Sequence, residues 1–135
     1  MNFTAKMLYK ASLHGFDPRD AHSKADGFAN TITLLKLKSG VSVAAYTSLE
    51  MSSPVYPKQP GWFTDYEAFL LNLSSKLAFP SKGGQYGGIG KSAAEWPSFG
   101  RYELWCAGGS LLNEEGSITS STGDYWGPGF GITVN

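Results

Sequence analysis

A single cysteine, Cys106, stands in 135 residues, which excludes an internal disulfide framework and every multi-cysteine metal site. Net charge is absent as well: 11 Lys+Arg balance 11 Asp+Glu. The chain therefore lacks the basic footprint of a nucleic-acid or anionic-membrane binder. No stretch approaches the roughly 20 apolar residues of a membrane helix; the longest clusters, Ala68–Leu71 and Leu104–Ala107, are strand-sized. The opening Met1-Asn2-Phe3-Thr4-Ala5-Lys6 has no secretory order of basic, apolar and small residues, so the expected location is intracellular, in the cytoplasm. Neither a linker nor a repeat of fixed period divides the chain, and one domain over residues 1–135 is expected.

What is present suits a folded core: 41% of residues are hydrophobic and 14% aromatic, too many for a disordered chain. Met7–Leu13 is apolar with no clear period. Asp17-Pro18-Arg19-Asp20 reads as a helix start, with Asp17 capping, Pro18 at the first position and Asp20 opposing the helix dipole. Ala21, Ala25 and Phe28 are expected to face inward, and Gly27 to end the helix. Thr31–Leu37 and Val41–Thr47 alternate and are rich in β-branched residues, and Lys38-Ser39-Gly40 between them predicts a hairpin. Residues 48–65 carry Pro54, Pro57 and Pro60 and read as one long loop.

Glu67–Leu73 reads as a central strand, with a helix as the competing reading, and Lys76–Phe79 as a neighbour stopped by Pro80. Residues 81–92 hold five glycines and suggest a strand edge with bulges or tight turns. Arg101–Ala107, residues 117–122 and Phe130–Val134 read as further strands. Short strands, frequent turns and few helices predict a mostly β fold: a β-sandwich of two antiparallel sheets with one or two short peripheral helices.

Chemical motifs are weak throughout. Gly87-Gly88-Ile89-Gly90-Lys91-Ser92 ends like a phosphate-binding loop, but position 85 is Gln where the pattern needs Gly; a turn is the better reading. His14 and His22 read as surface or turn residues, since His22 finds only Pro18, Ala25 and Asp26 at helical spacing. Glu114-Glu115 fits a solvated turn and Asp17/Asp20 a helix start. Cys106 alternates with Tyr102 and Leu104, as a buried and inert thiol would. No Gly-x-Ser-x-Gly elbow occurs. Four tryptophans, Trp62, Trp96, Trp105 and Trp126, are the remaining hook, as core filling or as exposed anchors.

Taken in order, these segments resemble the TLDc domain, the module of the oxidation-resistance proteins and nuclear-receptor coactivator relatives. Leu8–Phe16 is similar to the family's opening leucine-tyrosine segment with its glycine, and Pro18–Ala25 to the short helix that follows. Thr31–Lys36 and Val43–Thr47 are similar to its first hairpin, with Ala44-Ala45-Tyr46 in place of a small-small-tyrosine ending. Ala68–Leu73 resembles its alanine-phenylalanine-leucine strand, Phe99–Trp105 its glycine-rich approach to a leucine-tryptophan strand, and Gly116–Tyr125 its Ser/Thr-rich segment. The glycine run before Tyr102 is short and the usual terminal segment is lacking, marks of a divergent relative.

The resemblance implies a two-sheet sandwich with no catalytic constellation and no cofactor. It also implies association with oxidative-stress protection and, as in several family members, with the V-type proton ATPase. Because the residues themselves offer no credible active site, the expected function is a non-catalytic protein-interaction module of TLDc type, or a docked subunit of a larger assembly. Neither nucleic acid nor membrane insertion is expected. The partner-binding anchors would be Trp62, Tyr66, Tyr86, Trp96 and Trp126, since aromatic side chains dominate interface energetics. The alternatives are a carbohydrate-binding sandwich using exposed tryptophans and a thiol-dependent antioxidant enzyme using Cys106.

Overall fold

A computed structural model describes residues 4–36, 39–53, 61–84, 87–93, 96–99, 104–106 and 118–119. Two short helices come first, α1 (Ala11–His14) and α2 (Pro18–Ala25). The α2 start is built as its residues dictate. Asp17 accepts the Arg19 backbone N–H at 2.9 Å and pairs with the Arg19 guanidinium, and Pro18 occupies the first turn. Gly27 takes φ 87 just beyond the helix, where a side chain would be strained. Ala21 and Ala25 are buried as expected, but Phe28 is 44% exposed; the chain has left the helix by that point, so helical spacing no longer aims the ring.

Nine strands follow among the described residues: β1 (Thr31–Lys36), β2 (Ser42–Thr47), β3 (Gly61–Thr64), β4 (Phe69–Asn72), β5 (Leu77–Pro80), β6 (Gly88–Lys91), β7 (Trp96–Phe99), β8 (Leu104–Cys106) and β9 (Ile118–Thr119). They form two antiparallel sheets, ordered β1-β2-β4-β5 and β3-β6-β7-β8-β9. The mostly β sandwich expected from the pattern is the fold. The β1–β2 hairpin closes with Gly40 at φ 88.

Register explains the core. Antiparallel partners share a face, so Ala45, Leu70 and Phe79 form one inward row of the first sheet, and Leu35 meets Val43 in the next. Phe63, Ile89, Phe99 and Leu104 form the facing row of the second. Val43, Ala45, Leu70, Ile89, Phe99 and Leu104 all reach 0–1% exposure and join Met51 and Ala68 in one cluster. Burying each large side chain fully stabilises the fold by about 1.5–3 kcal/mol.

Three expectations need correction. Residues 48–65 are not one loop, because Gly61–Thr64 forms β3 against β6. The stretch read as a phosphate-loop turn is strand β6, and it lies inside its sheet between β3 and β7 rather than at an edge. Pro80 does not stop β5 but ends it as a strand residue, tolerated because β5 is an edge with no neighbour on its far side among the described residues. The strand expected at Phe130–Val134 lies outside the described residues.

Candidate functional site: an exposed tyrosine on a locked turn

The link from β3 to β4 crosses from one sheet to the other in four residues, Asp65-Tyr66-Glu67-Ala68. The Ala68 N–H donates to the Asp65 carbonyl at 3.4 Å and the Glu67 N–H to Asp65 Oδ1 at 3.1 Å, a turn in which aspartate substitutes for backbone. The same carboxylate reaches across to β2. Its Oδ2 accepts the Thr47 hydroxyl at 2.6 Å and the Ser48 N–H at 2.8 Å, while Oδ1 accepts the Ser48 hydroxyl at 2.8 Å. Asp65 is 3% exposed and Thr47 wholly buried. Burial disfavours the charged form, but the hydrogen bonds from Thr47, Ser48 and Glu67 outweigh it and hold the carboxyl below the usual aspartate range.

This buried anchor presents Tyr66 outward, 76% exposed. Beneath the ring lies Gly83, at φ 74; a Cβ there would fall 2.3 Å from Tyr66 Cε1, so only glycine lets the ring lie down. The loop carrying Gly83 is itself tied. Thr64 Oγ1 donates to the Gly84 carbonyl at 2.8 Å, the Gly83 N–H to Ser81 Oγ at 3.0 Å, and the Ser81 hydroxyl to the Gly87 carbonyl. Tyr66 therefore stands on a floor fixed by both sheets.

Phe63, 42% exposed at the outer end of the core row, sits under the Lys91 ammonium at 4.8 Å, a cation–π contact. Lys91 also donates to the Glu50 carbonyl. Burial depresses its pKa, partly offset by Glu50, Asp26 and Asp65. The lysine that suggested a phosphate loop is thus engaged with an aromatic ring and a carbonyl. Trp62, on the opposite face of β3, lies half-buried over Gly90, whose missing Cβ would meet the indole at 2.9 Å.

Of the five sequence-predicted anchors, the structure describes the side chains of two, Trp62 on β3 and Tyr66 on the β3–β4 turn. Trp96 lies on β7; its side chain, with Tyr86 and Trp126, lies outside the described residues. Cys106 is on β8, its side chain likewise outside them, as are Glu114 and Glu115. Sequence reasoning missed Asp65, Thr47 and Ser48, although an aspartate opening a turn was a local signal for the first.

A second cluster gathers at α2. His22 is 7% exposed, against the expected surface position, because it lies on the α2 face that also buries Ala21 and Ala25. Its Nδ1 lies 2.8 Å from Asp26 Oδ1, and the Ser53 hydroxyl donates to Asp26 Oδ2. These groups border an open depression of about 260 Å³ with Arg19, Ser23 and Ala93. The carboxylate stands in the middle, so the hydroxyl serves Asp26 and not the imidazole. A nucleophile-base relay requires the opposite order. Among the described residues no group of three or more His, Cys, Asp or Glu is placed to hold a metal, and no helix is long and apolar enough to cross a membrane. No family model, no curated protein and no solved structure matches the chain.

Proposed function

We propose that this protein is a non-catalytic protein-interaction module of TLDc type, acting inside the cell through a partner protein. Its contribution to oxidative-stress protection runs through that partner, with subunits of the V-type proton ATPase or a larger assembly as the candidates. The observation that carries the reading is Tyr66, three-quarters exposed on a turn whose carboxylate is buried and fully bonded. A large aromatic carried outward on a bonded turn spares the backbone ordering that binding otherwise costs, which suits an interface anchor. Phe63 and the Lys91 ammonium lie on strands adjoining the turn and its floor. Carbohydrate binding draws less support, since Trp62 is half-buried across Gly90 rather than laid open as a stacking platform.

Proximity labelling in cells, with wild type and Tyr66→Ala as paired baits, tests the reading. Wild type is expected to enrich a defined partner set, with V-ATPase subunits in the search, and the variant to lose it. Equal enrichment by both baits, or none by either, contradicts the proposal. A glycan array that binds wild type would favour the carbohydrate alternative.

A further inference from the structure

Among the described residues strand β1 is an edge of its sheet, hydrogen-bonded to β2 alone. Alternate residues of an edge strand turn their N–H and C=O groups outward, an open template for another strand. No hydrogen bond from a described residue reaches β1 from the side away from β2. The edges differ in how they are protected. β5 carries Pro80, β3 begins at Gly61 and is four residues long, and β9 has two residues. β1 has six residues, Thr31-Ile32-Thr33-Leu34-Leu35-Lys36, with neither Pro nor Gly. Two of its three outward side chains are apolar and bare, Ile32 at 57% exposed and Leu34 at 69%, and the third is Lys36.

The geometry points to a second copy of this chain as the occupant: two β1 strands pair antiparallel about a two-fold axis at Thr33, joining two four-stranded sheets into one of eight. The register follows from the residues. Antiparallel pairing centred on Thr33 sets Ile32 of each copy opposite Leu34 of the other, so both exposed apolar side chains gain cross-strand partners. Each Lys36, the one charge on β1, falls opposite an uncharged Asn30, at opposite ends of the ladder from its counterpart. Centring on Leu34 would instead oppose Ile32 to Lys36. The ladder then pairs residues 31–35 of each copy, is about 17 Å long and buries less than the roughly 1,200 Å² of a stable interface. The dimer is therefore reversible and concentration-dependent. β1 is the one unprotected edge among the described residues, so the pairing closes on itself.

Sedimentation equilibrium over a wide concentration range tests this with three chains. Wild type is expected to rise in mass from monomer to dimer and stop there. Ile32→Lys with Leu34→Lys sets lysine against lysine twice across the axis, and dimerisation is expected to weaken by about tenfold or more. Ile32→Lys with Leu34→Glu sets lysine against glutamate twice, and dimerisation should return at low salt. Wild type that stays monomeric up to about 1 mM, where even weak strand pairing would register, overturns the proposal. So do growth beyond the dimer, a Lys/Lys chain that pairs like wild type, or a Lys/Glu chain that does not pair. If either double variant loses its thermal transition, Thr33→Cys decides. Oxidation should then join position 33 of one copy to position 33 of the other through a disulfide, identified by mass spectrometry, and the absence of that cross-link contradicts the axis.

Discussion

At the scale of single residues, Asp65 does the most. It holds a negative charge in the interior without an ion-pair partner among the described residues, and four donors from two segments replace its lost water. Asp65→Ala would leave the buried Thr47 hydroxyl and the Ser48 and Glu67 N–H groups without their acceptor. The expected loss is about 3 kcal/mol in denaturant unfolding. The same carboxylate sets an acid limit. Its folded-state pKa is depressed, so its stabilisation is full above the unfolded value of about 4 and fades as pH falls through the folded one. A melting series from about pH 6 to about pH 2 should therefore fall more steeply in wild type than in Asp65→Asn. Tyr66→Ala, by contrast, removes a ring that is mostly in solvent and should leave the melting temperature nearly unchanged. A loop reaching Asp65 was legible, although Glu67 read as the start of a strand rather than as part of a turn. The role of Asp65 was not, because its donors Thr47 and Ser48 lie 18 and 17 residues upstream and only the fold brings them near.

Elements differ in how openly their residues announce them. The β1–β2 hairpin was legible because alternation, β-branching and a well-placed Gly40 agree. Strand β3 was hidden by Pro54, Pro57 and Pro60 just before it, and β6 by glycines, which disfavour strands on average. In β6 the glycines are required by close approach. A Cβ at Gly88 would fall 1.9 Å from the Phe63 carbonyl oxygen and 2.6 Å from the Asp65 nitrogen. Backbone cannot step aside as a flexible side chain can, so Gly88→Ala should break the β3–β6 pairing and cost about 3 kcal/mol or more. Hydrogen exchange would locate the damage, with protection lost first in β3 and β6. Protection unchanged there would mean that the two strands are not held this closely.

For the molecule as a whole, strand pattern foretold the sandwich but not the partition of strands between sheets. After the first hairpin the chain sends β3 to the second sheet and returns β4 to pair with β2. That exchange depends on contacts distant in sequence, and it is what forces the short crossing at Asp65–Ala68. The crossing in turn gives the surface an exposed aromatic on a bonded turn where recognition is proposed, while apolar rows from both sheets fill the interior. Direct titration of purified V-ATPase peripheral subunits with wild type and with Tyr66→Ala tests this most directly. Saturable binding by wild type, weakened about tenfold or more in the variant at equal melting temperature, is the predicted result. Binding that Tyr66→Ala leaves intact, or no binding by wild type, would contradict it.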